Sequence, residues 1–332
     1  MSDRREVTVV VDAQGGDRAP SEILSGVALA LAADPALKVI ITGAADIVGP
    51  FAAAHDRVEG FPTTQVIEMD EHPANAVRSK KDSSIVVGCR LVKEGRADAF
   101  FSAGSTGAAM AAATLVMGRI KGVARPAIAT VMPTAGPPVV MLDVGANADC
   151  KPEHLLQFAH MGAAYAAVVL EVAEPRIALL NIGEEPTKGS VLAQESHALM
   201  AQSVPGFIGN IEGRDVIAGV CDVIVTDGFT GNVALKLLEG TSKVLLGQVK
   251  DAMTSSAINT MAAAVLKPAL SRLKERLDPE AYGGAPLLGV SGVCVIGHGS
   301  SNARAVANAM RVAVTAVRGD LTARIATAVA AD

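Results

Sequence analysis

The sequence is poor in aromatic and cysteine side chains. It has no tryptophan, two tyrosines and four cysteines in 332 residues, and aromatics make up 3% of it. The core therefore has to be built from Ala, Val, Leu and Ile. The cysteines have neither the CxxC spacing of a zinc or redox site nor the density of a disulfide scaffold; they are Cys89, Cys150, Cys221 and Cys294. We expect a reduced, cytoplasmic protein without a metal site.

Charge is also scarce. Charged residues make up 19% of the sequence, the net charge is −5, and no Lys/Arg-rich stretch is interleaved with aromatics. The sequence therefore lacks the basic surface with which proteins bind nucleic acids, and we expect no nucleic-acid partner. The apolar run that follows MSDRRE is too short for the core of a signal peptide, so we expect no export.

One segment, residues 99–118, lacks charge over about the length that a bilayer requires. Its interior sequence AGSTG is turn chemistry between the β-like AFFS and an alanine-rich helical run, and Ala and Gly contribute little insertion energy. The segment therefore predicts a buried strand, turn and helix rather than a membrane span.

Short β-branched runs alternate with alanine-rich helical segments along the chain, and most of the runs are apolar on both faces. Strands of this kind are covered by helices on either side, which indicates an α/β protein. The predicted strands cover residues 7–11, 38–42, 65–69, 98–102, 127–132, 139–144, 177–182, 207–211, 222–226 and 292–296.

Two places depart from this alternation. The strands at 127–132 and 139–144 are joined by PTAGPP, which suits a hairpin and predicts a mixed sheet. Residues 241–279 hold no strand and predict a helical pair that projects from the body, with Pro268 as an interruption. Because nothing marks a domain boundary, we expect one domain over 1–332.

Polar, glycine-bearing loops follow the predicted strands. They are VDAQGGD, FSAGSTG, LDVGANADCK, LNIGEEPTKG, GNIEGRD, TDGFTGN and IGHGSS. In open α/β sheets ligands bind beyond the carboxyl ends of the strands, and glycine lets backbone N–H groups approach a phosphate. Seven such loops favour a shared site at one edge of the sheet, although any single glycine can simply close a turn.

Standard cofactor and nucleophile motifs are missing. The chain has no GxGxxG, P-loop, HExxH or GxSxG motif and no recognisable Cys/His pairing. These absences argue against a dinucleotide, a zinc site and a covalent nucleophile. Scattered carboxylates at Asp143, Asp149, Glu184, Glu185 and Asp227 leave a magnesium site open, but such residues more often cap helices.

Taken together, these loops resemble the PlsX-type phosphate acyltransferases, in matching order over nearly the whole chain. VRSKKDSS at 77–84 and YGGAPLLGVSG at 282–292 also fit. This sequence departs from the family at Gln14, where the family usually has Met, and at Ser105 and Ser291, where it usually has Asn. A role at position 105 that needs an amide is therefore in doubt.

The resemblance implies transfer of a fatty acyl group from acyl carrier protein to inorganic phosphate, which gives an acyl phosphate for phospholipid synthesis. A membrane-bound glycerol 3-phosphate acyltransferase then consumes that product. It also implies a homodimer with no cofactor and a three-layer α/β/α fold with a mixed, mostly parallel sheet, like that of isocitrate and isopropylmalate dehydrogenases. Two alternatives stay open: a dehydrogenase of that fold, and a non-catalytic carrier-protein or membrane adaptor.

We expect Lys188 to clamp phosphate, His298 to assist proton transfer or donate to the carbonyl oxygen, and Asn232 to support them. Lys188 as a solvated charge, Ser300 as a helix N-cap and His298 as a turn residue are the competing interpretations. The predicted phosphate- and substrate-binding residues are Gly15, Gly16, Asp17, Gly104, Ser105, Thr106, Gly107, Asn147, Asn181, Gly183, Glu184, Gly189, Gly297, Gly299, Ser300 and Ser301.

A leucine stripe marks the helical pair. Leu266, Leu270, Leu273 and Leu277 recur at helical spacing beside Lys267, Arg272, Lys274 and Arg276. Such an amphipathic helix suits a peripheral membrane contact or the docking of acyl carrier protein, and it suits dimer packing equally well.

Overall fold

A computed structural model describes residues 5–277 and 283–330. The strands are β1 Val7–Asp12, β2 Leu37–Gly43, β3 Val58–Pro62, β4 Ala99–Ser102, β5 Ala127–Met132, β6 Val139–Leu142, β7 Ile177–Leu180, β8 Phe207–Ile211, β9 Val223–Val225, β10 Ala285–Leu288 and β11 Val293–Ile296. The α-helices are α1 Ser21–Ala33, α2 Ala45–Ala53, α3 Pro73–Ser79, α4 Ser84–Lys93, α5 Thr106–Ala112, α6 Pro152–Val169, α7 Val191–Ser203, α8 Gly228–Met253, α9 Ala257–Leu277, α10 Ala303–Arg318 and α11 Leu321–Val329.

All these strands form one sheet in the order β3-β2-β1-β4-β11-β10-β5-β6-β9-β7-β8. The pairs β11–β10, β10–β5 and β5–β6 are antiparallel, and the other neighbouring strands are parallel. The hairpin predicted between β5 and β6 is confirmed. Three reversals in succession leave β6, β9, β7 and β8 running opposite to β1, β2, β3, β4 and β11.

Helices cover both faces of the sheet. In β1 the buried Val9 and Val11 belong to one apolar cluster and Val10 to the other, as alternation of side chains along a strand requires. Phe101 and Phe100 of β4 divide between the two clusters in the same way. The predicted three-layer fold with a mixed, mostly parallel sheet is confirmed.

Two strand assignments need correction. Residues 65–69 form no strand; only Gln65 makes an isolated bridge, to Ser83. The edge strand β3 lies just before them, and its sequence VEGFP carries a charge, a glycine and a proline, which mask the β pattern. The prediction also missed β10, whose short APLL follows two glycines.

The helical pair differs from expectation in two respects. Its first helix, α8, begins at Gly228 directly after the loop of β9, well before residue 241. The second, α9, runs through Pro268, so the predicted interruption is wrong: a proline removes one backbone donor without necessarily ending a helix.

The charge-free segment folds as strand, turn and helix, as predicted, through β4, α5 and a π-helical turn at Ala113–Met117. Within the described ranges 5–277 and 283–330, no helix has both the length and the apolar character that crossing a membrane demands.

Candidate active site

The glycine loops leave the sheet at two opposite edges. Those after β1, β4 and β11 share one edge, and those after β6, β7 and β9 share the other, because the central antiparallel pairings reverse the sheet. The expectation of a single shared edge is therefore wrong. The site has to be assembled from two groups of loops.

A buried carboxylate, Asp12, holds the first group together. It accepts the Gln14 N–H at 3.0 Å and the Ser102 hydroxyl at 2.7 Å, and Ser102 Oγ accepts the Gly104 N–H at 3.0 Å. A Cβ on Gly15 would lie 2.5 Å from Asp12 Oδ2 and 2.6 Å from the Gly104 nitrogen. Gly15 is thus required for contact between two loops of the protein.

Asp12 leads to a prediction about stability and pH. Burial raises the pKa of Asp12 above 3.8, and hydrogen bonds from Ser84 and Ser102 oppose that rise. As pH increases, the unfolded chain loses this proton first, so the free energy of unfolding falls between about pH 3.8 and the raised pKa. Asp12→Asn cannot ionise and should gain stability relative to wild type across that window.

Urea unfolding of both proteins from pH 4 to 7 measures this difference. The exposed Asp149, replaced by Asn, is the control for the substitution itself. A stability difference between Asp12→Asn and wild type that stays constant with pH would contradict the assignment.

The loop after β11 fixes the ring of His298. The Ser300 N–H donates to His298 Nδ1 at 3.2 Å, and Ser300 Oγ lies 2.7 Å from the same nitrogen. With Nδ1 as an acceptor, the proton of the neutral ring sits on Nε2, which is then a donor. Asn302 caps α10 by accepting the Ala305 N–H, so the interpretation of Ser300 as the N-cap is wrong.

A second buried carboxylate, Asp143, organises the loops at the other edge. It accepts five hydrogen bonds of 2.7–3.2 Å, from the N–H groups of Ile128, Gly145, Ala146 and Asn147 and from Asn147 Nδ2. Burial raises the pKa of Asp143, and these hydrogen bonds oppose the rise. A Cβ on Gly228 would lie 2.6 Å from the Asn147 carbonyl oxygen, so the loop after β9 packs directly on this one.

A cavity of about 570 Å³ receives residues from both groups of loops. Nine predicted site residues line it: Asp17, Gly104, Thr106, Asn232, Gly297, His298, Gly299, Ser300 and Ser301. Apolar walls come from side chains such as Ile128 of β5, Leu235 of α8 and Ala309 of α10. The cavity therefore combines polar loops with an apolar surface.

Other predicted residues hold the loops in place through caps and packing contacts and do not line this cavity. Ser105 caps α5 through the Ala108 N–H, and Gly107 packs closely on Pro73. Gly16 has a φ of +109° and lies against the Gly299 carbonyl, and Asn147 donates to the Pro126 carbonyl.

The loop after β7 stands apart from the cavity. Asn181 and Gly189 line a second cavity of about 240 Å³, and Gly183, Glu184 and Lys188 line neither. Asn181 Nδ2 donates to the Lys188 carbonyl oxygen at 3.0 Å, while the Lys188 side chain is exposed. A phosphate contact by this loop stays a prediction.

Of the residues that α8 contributes, sequence reasoning predicted Asn232 but missed two charged ones. Lys236 and Glu239 line the cavity together with Asn232. Their spacing of three and four residues puts them on one face of a helix, so the motif GNVALKLLEG carried a usable signal. In the part of the chain that the structure describes, no three His, Cys, Asp or Glu side chains are grouped to hold a metal ion.

Comparisons with known proteins agree with this architecture. The chain matches the family described as "Fatty acid synthesis protein" over residues 7–324. It is 50% identical over 322 residues to a phosphate acyltransferase of Heliobacterium modesticaldum, covering 96% of each chain. It is also 50% identical over 317 residues to a phosphate acyltransferase of a Nostoc species, covering 94% of this chain and 93% of the other.

Solved structures share the fold. A phosphotransacetylase from Streptococcus pyogenes superposes with a TM-score of 0.64 at 16% identity, covering 94% of each chain. A branched-chain phosphotransacylase from Enterococcus faecalis gives 0.59 at 16% identity, covering 94% of this chain and 99% of the other. On the extent and identity of the sequence matches, the chain belongs to the family of PlsX-type phosphate acyltransferases and is an acyltransferase.

Proposed function

We propose that the protein transfers a fatty acyl group from acyl carrier protein to inorganic phosphate. The observation that carries this proposal is the 570 Å³ cavity, in which the polar loops of Gly104 and His298 adjoin apolar walls from β5, α8 and α10. Phosphate needs N–H and O–H donors, whereas a fatty acyl chain needs apolar surface. One cavity offers both.

The reaction joins a phosphate oxygen to the thioester carbonyl carbon and breaks the carbon–sulfur bond. The carrier leaves as a thiolate, which is a good leaving group, so the main demands are positioning and stabilisation of the oxyanion. We assign the donation to that oxyanion to His298 Nε2–H, with Ser300 holding the ring through Nδ1. Asn232 faces the same cavity from α8.

We favour direct attack by phosphate without an acyl-enzyme. Burial raises the pKa of Cys150 to about 11 and those of Cys221 and Cys294 to about 12, so these thiols are protonated near neutral pH. Ser300 does lie next to a histidine, but no described carboxylate bonds that ring to orient it as a base.

We further propose that the acyl phosphate serves phospholipid synthesis through a membrane-bound glycerol 3-phosphate acyltransferase. A cytoplasmic homodimer with one domain over 1–332, attached peripherally to the membrane, fits that role. In support, α9 exposes Ile258, Met261, Val265 and Leu266, and Leu270 is half-buried. The side chains of Leu273 and Leu277 lie outside the described residues.

Release of free carrier thiol from acylated acyl carrier protein tests the function. We expect release only when inorganic phosphate is present, with acyl phosphate formed in equal amount. A dehydrogenase or a non-catalytic adaptor gives no such release, and acylated protein trapped in the absence of phosphate would exclude direct attack.

A further inference from the structure

We propose that Lys236 is the cation that binds phosphate in the large cavity, and that Glu239 positions its ammonium group. This inference rests on the proposed function. It replaces the sequence-based choice of Lys188 with a residue from the wall of the cavity itself.

The geometry of α8 brings these groups to the site. Asn232, Lys236 and Glu239 stand four and three residues apart, so they share one face of the helix, and all three line the cavity. Lys236 Nζ lies 2.7 Å from Glu239 Oε2. The polar loop that carries His298 lines the same cavity.

The charges around the cavity favour a cation as the phosphate ligand. Asp17 and Glu239 are carboxylates that line it, and inorganic phosphate brings roughly another one and a half to two negative charges near neutral pH. Among the described lining residues, Lys236 is the only lysine or arginine. Without it, phosphate would enter a cavity whose charged side chains repel it.

Lys188 offers a weaker alternative. It lines neither cavity, although its loop supplies Asn181 and Gly189 to the smaller one. The two lysines can therefore be compared directly by the same substitution.

Kinetics of phosphate-dependent thiol release distinguish them. Lys236→Met should raise the phosphate KM at least about tenfold and leave the KM for the acylated carrier within about twofold. Lys236→Arg should restore much of the loss because it keeps the charge. Glu239→Gln should lower the phosphate KM about two- to threefold, since it retains an acceptor for Lys236 and removes a negative charge.

The pair Lys38–Glu6 provides matched controls. Lys38 Nζ lies 2.8 Å from Glu6 Oε2. The Lys38 side chain is 51% exposed, compared with 53% for that of Lys236. Lys38→Met and Glu6→Gln should leave every kinetic constant unchanged.

Thermal unfolding over a series of phosphate concentrations keeps the inference separate from the proposed function. Phosphate should raise the Tm of wild type and of the Lys38→Met variant, and Lys236→Met should need at least about tenfold more phosphate for the same shift. If wild type releases no thiol, the proposed function fails. A phosphate-induced Tm shift that is weakened in Lys236→Met would still support the site. An unchanged phosphate KM or an unchanged Tm shift in a folded Lys236→Met variant overturns the inference, as does a larger KM effect in Lys188→Met. If Lys236→Met does not fold, a phosphate KM that Glu239→Gln leaves unchanged or raises overturns it.

Discussion

Replacing His298 with alanine should lower kcat about 100-fold or more and change the phosphate KM far less. The ring lines the cavity, and its Nδ1 accepts from the Ser300 N–H, which leaves Nε2–H as the donor. A donor aimed at a developing oxyanion acts mainly in the transition state, and removing one typically costs about 100- to 1000-fold in kcat. Steady-state thiol release at saturating phosphate measures this effect.

Ser300→Ala is the matched variant. It removes the hydroxyl 2.7 Å from Nδ1 but keeps the backbone N–H that also bonds the ring, so kcat should fall less than about tenfold. If Ser300→Ala lost as much activity as His298→Ala, the assignment of His298 rather than Ser300 as the main oxyanion donor would be wrong.

Asp143→Ala should lower the free energy of unfolding by about 3 kcal/mol or more. The carboxylate accepts five hydrogen bonds, four of them from backbone N–H groups that would lose this partner, one in the buried strand β5 and three in a partly buried loop. The first turn of α8 packs on the same residue, since Gly231 has no room for a Cβ beside the Asp143 carbonyl oxygen. Urea denaturation followed by circular dichroism gives the value.

Asp149→Ala, at an exposed position of the same loop, is the control and should change stability by less than about 0.5 kcal/mol. Equal losses in the two variants would show that Asp143 does not hold the loop.

The sequence predicted most of the sheet because its strands are apolar on both faces. The strand β1 and the hairpin β5–β6 stand out in this way. It did not predict β3, where Glu59, Gly60 and Pro62 occupy an edge strand. Burial on both faces produces a clear pattern, and an edge position does not.

The direction of the strands, and therefore the site, was harder to predict. Each glycine loop was recognised, but a sequence does not show that β10 inserts between β11 and β5 and reverses the second half of the sheet. That reversal moves Lys188 away from His298. It also lets α8 bring Lys236 to the cavity, because the helix starts at the opposite edge and side chains within its residues 232–239 line the cavity.

A crystal structure with inorganic phosphate and a non-reactive acyl thioester analogue tests most directly whether one cavity holds both substrates. We predict phosphate within about 3.5 Å of Lys236 Nζ and the acyl carbonyl oxygen within hydrogen-bonding distance of His298 Nε2, with the chain along Ile128 and Leu235. Phosphate bound instead at the loop of Asn181 and Lys188, with the large cavity empty, would contradict this account.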